Sequence, residues 1–425
     1  MTKYGEPFKI MTKLSLTNEC IENLPTLTPL IDSYEFQVKF AQDNKDYKIV
    51  IRRWKDEVKV IEVNGVKGLC FVVEETFNEF EKAKNNLQTD SIYMKTTKKH
   101  LVVSLDENCA QLTELTGGKG SSLAQLKSIS ETADWQVPNA VIVTSDAYQA
   151  QKDSILNFSE KIESFEKQIA CKDNVERSCE EFVKWFSNTE LNEMIKEALV
   201  EKMASEFGAN WKEMLFAVRS SAASEDSAEM SAAGQMTTYL GVTGGLEALS
   251  GAIVRCWASQ FAFVPVEYKR GYGQPIDSPM AVVVQAMVDC TAAGVIFTAS
   301  PVDGDERLLT ITSNFGLGES VVSASAEPDT FSLQVEIEAN SYLKRRKVAS
   351  IVKRVIGKKS LVTRLNPNAE RENIEEGTVN SELESDAAAR QSLDDESVFT
   401  LGNIALEVSG KLFQQQQKEF KLLDF

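Results

Sequence analysis

The apolar positions of the chain change period along its length, and the changes mark its elements. Tyr34, Phe36, Val38 and Phe40 alternate with polar residues, the two-residue period of a half-buried strand. Tyr47 to Trp54 predicts a second strand. Val58 to Val63, then Asn64-Gly65, then Val66 onward predicts a hairpin, because Asn-Gly suits a type I′ turn. These features set residues 1–98 apart as a small β-rich module. Leu101 to Leu105 and Trp135 to Val143 predict buried strands, and Thr144-Ser145-Asp146 offers caps for a helix. From about 151 to 207 the period is helical, with Leu156, Ile162, Phe165 and Ile169, then Trp185, Leu191, Ile195 and Leu199. Leu215 to Val218 predicts a strand, Leu246 to Phe263 a helix, and Ala281 to Val288 a buried strand interrupted by Gln285. Gly294 to Thr298, Leu308 to Ser313 and Ser332 to Glu338 predict further strands. Asn366 to Ser397 is acidic and short of aromatics, the composition of a mobile loop. Phe399 to Phe413 predicts a helix, followed by a glutamine run and a terminal strand candidate. The mixture is an α/β (α+β) fold.

Composition narrows the function classes. At 425 residues and 43% hydrophobic, the chain carries enough apolar surface for a large core. Its 46 basic and 63 acidic residues leave a net charge of −17. Such a surface repels a phosphate backbone, so general nucleic-acid binding is disfavoured while a local pocket for one nucleotide is not. The seven cysteines are scattered without a CxxC pair, which predicts reduced thiols in a cytoplasmic setting. The start, MTKYGEPFKIMTK, lacks the apolar run of a signal peptide, and no stretch of about 18 apolar residues predicts a membrane span. His100 is the single histidine and sits in a Lys98-Lys99-His100 cluster, which predicts a solvated side chain.

Candidate chemistry concentrates in AVRSSAASEDSAEMSAAGQMTTYLGV, residues 217–242. Arg219 follows an apolar run and can grip a phosphate in a planar, bidentate way. The small residues that end on Ala233-Gly234-Gln235 let backbone N–H groups approach an anion. Two readings stand here: a polyphosphate site, or an exposed Ser/Ala-rich loop with a surface arginine. Upstream, Gly117-Gly118-Lys119-Gly120 opens a helix whose apolar positions are Leu123, Leu126 and Ile129. A glycine-rich turn before a helix presents N–H groups and a positive dipole end, and Lys119 adds a cation. The GxxxxGK[ST] spacing of a P-loop is absent. Gln285, inside an apolar run, must find a hydrogen-bond partner, either an adenine edge or a neighbouring backbone. Asn314-Phe315-Gly316-Leu317-Gly318-Glu319 is another glycine-bearing junction with an acid. The basic run Lys344 to Lys359 reads as a solvated strand pair or as a phosphate-facing surface.

Taken in order, GGKGSSLAQL, VPNAVIVT, VRSSAASEDSAEMSAAGQMTTYL, CWASQFA, VVVQAMV, GVIFTASPVDGD and NFGLGESVVSASAEPDTF resemble the ATP-binding region of the phosphoenolpyruvate synthase and pyruvate phosphate dikinase family, which includes the rifampicin phosphotransferases. The resemblance covers roughly residues 105–425. It implies an ATP-grasp-type, two-lobed nucleotide-binding fold over 99–425, with ATP and Mg2+ as cofactors. By position it implies that Lys119 and Arg219 contact phosphates, that Gly234 and Thr238 belong to the small-residue loop around them, and that Gln285 lies near the base. Glu319, and Glu419 in Lys418-Glu419-Phe420, are the candidates for holding the metal.

The resemblance also implies a mobile histidine-bearing domain that takes the phosphoryl group, and the sequence contains no such motif. Two expectations follow. One is a kinase-like phosphotransferase domain that works with a histidine-bearing phosphocarrier domain or chain. The other is a catalytically inactive nucleotide-binding pseudoenzyme or regulatory protein.

Overall fold

A computed structural model describes the backbone of residues 33–39, 46–54, 57–63 and 66–72. It also describes residues 100–422 apart from 132, 172–173, 223–225, 228–229, 232–236, 339–344 and 368–375. The chain divides into two compact units, Met1–His100 and Leu101–Phe425. In the first, β1 (Ser33–Lys39), β2 (Asp46–Trp54), β3 (Glu57–Val63) and β4 (Val66–Val72) form an antiparallel meander in sequence order. Val63 pairs with Val66, so Asn64 and Gly65 alone connect β3 to β4.

The second unit contains two main sheets. The first is assembled from β5 (Val102–Ser104), β6 (Ala140–Val143) and β7 (Leu215–Ala222). After β7, the two-residue strands β8 (Asp226–Ser227) and β9 (Met230–Ser231) pair with each other. Strands β10 (Thr238–Thr243) and β11 (Met280–Ala286) then complete the sheet, whose order is β10-β7-β11-β6-β5 with every pair antiparallel. Five helices fall between these strands: α1 (Thr113–Ser130), α2 (Ser145–Ser154), α3 (Phe158–Ala170), α4 (Val175–Ser187) and α5 (Glu193–Phe207). Two more, α6 (Leu246–Ser259) and α7 (Phe263–Gly271), precede β11. Thr144 caps α2 as its sequence suggests, accepting from Ala147 N at 3.3 Å.

Both faces of this sheet carry apolar cores. Val103, Ala140, Ile142, Ala281 and Val283 pack on one face with Ala124 of α1. Val141, Val143, Phe216, Val218, Val282 and Val284 pack on the other with the helices α3 to α7. Alternate side chains point to opposite faces of a strand, so where both faces carry an apolar core, successive residues of a strand are apolar. That is why Ala281 to Val284 reads as a continuous run. Each such valine contributes about 1.5–3 kcal/mol on full burial.

The second sheet holds β12 (Ala292–Phe297), β13 (Leu308–Phe315), β14 (Asp329–Glu338) and β15 (Arg345–Val355), in that order, all antiparallel. The one-turn helix α8 (Glu319–Val322) follows β13. After β15 comes the hairpin of β16 (Leu361–Leu365) and β17 (Thr378–Glu382), then the short α9 (Ser385–Ala388) and the long α10 (Asp395–Leu422). Leu309, Ile311, Phe331, Leu333, Val335 and Val348 form a core with Val398 and Leu406 of α10.

Four expectations need correction. The predicted helix Leu246–Phe263 is two helices, interrupted at 260–262. Leu246–Gly271 as a whole is long and apolar enough to cross a membrane by length and composition, but 72% of its most apolar window is buried inside the protein. Residues 366–397, expected to be loop, contain β17 and α9. The terminal strand expected after the glutamine run is instead the continuation of α10 to Leu422. The glutamines do not break a helix, because straight side chains lose little rotamer freedom there.

Candidate functional site

The site is built where α1 meets β7. The helix is broken at Gly117, whose backbone lies at φ 70°, ψ 175°. A side chain is disfavoured at that φ, and a Cβ there would lie 2.1 Å from the carbonyl oxygen of Ser221. The break therefore serves two ends. It lets the helix axis restart at Gly118, and it lets the chain touch β7 directly. Ser221 secures the junction: its Oγ accepts from Gly120 N at 3.0 Å and donates to Thr116 O at 2.7 Å. Lys119 Nζ donates to the carbonyl of Ser220 at 3.1 Å. The lysine of the glycine turn thus reaches the residue next to Arg219.

Arg219 is not at the strand end as expected, but in the middle of β7, half-buried. Its register partners are Thr238 on β10 and Val283 on β11. Directly paired residues share a face, so Arg219 and the exposed Thr238 lie side by side on the face that α1 covers. Gln285 is two positions beyond Val283 on β11, hence on the same face, opposite Ala217. Three of the residues singled out in the sequence therefore share one sheet face with Lys119 of the covering helix. Gln285 is buried, and its Nε2 donates to Pro138 O at 3.3 Å. That is the backbone partner of the two alternatives its sequence left open. Gly234 lies outside the described residues.

The metal candidates do not meet at this corner among the described residues. Glu319 is exposed in the first turn of α8, beside the second sheet, where its Oε2 accepts from Thr378 Oγ1 at 3.4 Å. Glu419 lies in the backbone of α10, and its side chain falls outside the described residues. The basic run divides into separate structural interactions: Arg346 donates to Thr298 O, and Arg354 pairs with Asp395 at 2.7 Å. Lys359 is fully buried against Asp329.

Lys119 and Arg219 bring two cationic side chains to the corner. Beneath β7, burial pushes the Cys256 thiol far above its ordinary value, and the charge of Lys119 opposes that rise. Its Sγ faces the carbonyls of Val218 and Thr237 at 3.6 Å. A neutral thiol enclosed this way is packing and not a nucleophile. Among the described residues, Cys109, Cys171, Cys179 and Cys290 are not joined in disulfides either. A separate open cleft of about 630 Å³ is lined by Asn174, Glu176, Arg177, Glu180, Phe263, Glu267 and Arg270. Its three glutamates make it unsuited to a triphosphate, so the chemistry favours the Lys119–Arg219 corner over this cleft. Cations, a restarted helix of about 13 residues with its N-terminal N–H groups, and close backbone approach are the features that suit a polyanion.

Sequence reasoning missed Ser221 and Lys127. The first joins helix to strand, and Lys127 Nζ donates to Asn139 Oδ1 at 2.9 Å beside the Pro138 carbonyl used by Gln285. A serine within a small-residue run and a lysine on a helix carry no distinguishing local signal.

The family described as pyruvate phosphate dikinase, AMP/ATP-binding domain, matches residues 113–423. A rifampicin phosphotransferase of Bacillus subtilis is 29% identical over 326 residues, covering 76% of this chain and 34% of that protein. A probable phosphoenolpyruvate synthase of Archaeoglobus fulgidus is 32% identical over 309 residues, 70% of this chain and 37% of that protein. Another, from Staphylothermus marinus, is 34% identical over 242 residues, 55% of this chain and 28% of that protein. The chain thus spans about a third of the length of the relatives it matches. The two-sheet α/β unit, with its glycine break, lysine and arginine meeting on one sheet face, is the ATP-binding domain that this match describes, and the chain belongs to the pyruvate phosphate dikinase AMP/ATP-binding domain family.

Proposed function

We propose that residues 99–425 form the nucleotide-binding domain of a phosphotransferase that passes a phosphoryl group from Mg·ATP to a histidine on another domain or chain. The observation that carries this reading is the convergence of Lys119 on the carbonyl next to Arg219. Phosphoryl transfer asks a protein chiefly for positioning and charge neutralisation, because negative charge spreads over the phosphoryl oxygens in the transition state. Lys119 and Arg219 would hold the phosphates, with Gly234 and Thr238 in the loop beside them. Gln285, whose Nε2 already rests on Pro138 O, would border the base with its remaining polar surface. Glu319 and Glu419 are the candidates for Mg2+, which when bound would neutralise phosphate charge.

The test is a thermal-shift titration with Mg·ATP, since a ligand bound only by the folded state raises the midpoint. Calorimetry on Arg219→Ala should show affinity at least roughly tenfold weaker, about 1.4 kcal/mol for removing one charge-assisted hydrogen bond. Equal affinity in the variant and the wild type removes the assignment. A second reading is favoured by the helical backbone at Lys418-Glu419-Phe420, where the sequence leads one to expect a terminal strand. It is a nucleotide-binding protein without turnover. ATP consumption in the presence of pyruvate and a histidine-bearing partner domain separates the two.

A further inference from the structure

A buried ion pair outside the phosphate corner holds together the segments that join the two sheets. Asp329, which opens β14, and Lys359, between β15 and β16, are both fully buried, with Nζ to Oδ1 at 2.5 Å. Asp329 Oδ1 also accepts from Gly357 N at 3.0 Å, and Oδ2 accepts from Ser392 N at 2.7 Å and Ser392 Oγ at 2.8 Å. Lys359 Nζ donates further to Gly357 O at 3.1 Å. Because Ser392 Oγ gives its proton to Asp329, its 2.7 Å approach to Ser313 Oγ must receive the proton of Ser313. One carboxylate therefore takes four donors from two distant segments and fixes both to the start of β14. Lys359 itself is held at φ 38°, a conformation that persists only where its surroundings dictate it.

What these bonds fix is the root of the β16–β17 hairpin. That hairpin touches both sheets. On the second-sheet side, Thr363 O accepts from Leu317 N at 2.8 Å, and Leu361 O accepts from Asn314 Nδ2 at 3.0 Å. Thr378 donates to Glu319. On the first-sheet side, Gly377 lies against β10 so closely that a Cβ on it would sit 2.0 Å from Leu240 O. A Cβ on Gly241 would likewise sit 2.3 Å from Gly377 O. Leu240 is two residues from Thr238, the partner of Arg219.

We propose that the Asp329–Lys359 pair is a positioning clamp for nucleotide binding, setting through the β16–β17 hairpin the placement of the Glu319 segment relative to the β10 edge. Stability alone does not require such a pair, since apolar residues of similar volume commonly replace a buried ion pair at no cost. A carboxylate with four donors offers fixed geometry instead. The clamp rests on the nucleotide reading above, and Asp329 and Lys359 are positioning residues that touch no phosphate.

The test compares Mg·ATP affinity by calorimetry for wild type, Asp329→Asn, Ser392→Ala and Val348→Ala. In Asp329→Asn an amide N–H₂ must face at least two donors, whichever way it is turned. Its affinity should fall about tenfold or more, as expected when a binding group is displaced by a fraction of an ångström. Ser392→Ala removes one donor and the link to Ser313, and should give a smaller loss in the same direction. Val348→Ala, in the core between β15 and α10, lowers the melting midpoint without touching the hairpin and should leave affinity unchanged. Wild-type affinity in Asp329→Asn, or an equal loss in Val348→Ala, overturns the clamp. Should Asp329→Asn fail to fold, Ser392→Ala decides alone, and wild-type affinity in it is the overturning result. A wild type that does not bind Mg·ATP removes the nucleotide reading itself, and the clamp with it.

Discussion

The two sheets of the second unit are built to different specifications. The five-stranded sheet is closed on both faces, by α1 on one and by the helices α3 to α7 on the other. Among the described residues, the four-stranded sheet carries its apolar core on one face, against α10. Its other face carries Thr310, Thr312, Ser332 and Gln334, all half-buried. Arg219 sits on the five-stranded sheet and Lys119 on α1, the helix that covers it. A sealed sheet fixes its side chains against a dense interior, which suits groups that must meet a charged ligand at set positions. A sheet with one polar face is suited to approach and cover. Within this fold, rigidity and openness are divided between two sheets.

The largest break in that contrast should come from Gly117→Ala. The left-handed backbone costs about 1–2 kcal/mol with a side chain, and forcing a methyl against the Ser221 carbonyl costs about 1–3 kcal/mol more. Chemical denaturation should show a destabilisation of about 2–5 kcal/mol, the sum of those two terms, together with weaker ATP binding, because α1 carries Lys119. A variant as stable as wild type would mean that α1 is not seated on β7 as described.

Sealing also leaves a mark on ionisation. Lys269 of α7 is buried, donating to Ile276 O at 2.6 Å and Gln260 Oε1 at 3.1 Å. Burial lowers its ammonium to about 8, with Asp277 acting in the opposite direction. Asp277 is itself bound by Lys152 at 2.7 Å and by Tyr148 at 2.6 Å. The sign follows from proton binding. Between about pH 8 and 10.5 the unfolded chain holds the proton more often than the native one, so this group adds stability as pH rises through that window. The stability difference between wild type and Lys269→Met should therefore grow over this range, up to about 3 kcal/mol. A flat difference would show that the site is wetter than its burial indicates. Thiols and Tyr148, raised by burial, oppose the trend in both proteins, which is why the difference is the quantity to read.

The smallest effects sharpen the comparison directly. Val283→Ala, on the sealed face, should cost about 2 kcal/mol through reduced burial and a residual cavity. Thr310→Ala, on the open face of the second sheet, should stay within about 0.5 kcal/mol. Similar destabilisation at both positions would end the distinction between the sheets.

The legibility of the fold varies from element to element. Ala281 to Val284 and Leu308 to Ser313 are plain as strands, because burial on two faces or one writes itself into a run or an alternation. The glycine-rich break inside α1 is visible for the same kind of local reason, although the sequence places it at the helix start. The break between α6 and α7 carries one local mark, Pro265 in the first turn of α7, which the apolar run from Leu246 masks. β17 is hidden by its polarity: its partner β16 supplies the bonds, and exposed strand residues need not be apolar.

By itself the sequence determined the α/β mixture, the family and the identity of the cations, because these rest on local period, on glycine at positive φ and on the order of motifs. Tertiary structure alone decided that Lys119 reaches the strand beside Arg219, that Thr238 and Gln285 share its face, and that Asp329 finds Lys359 and Ser392. Those relations join residues 19 to 101 positions apart in the chain. No local pattern encodes them, because a hydrogen bond or ion pair between distant segments depends on where the sealed cores place each backbone, not on the neighbours of either residue in the chain.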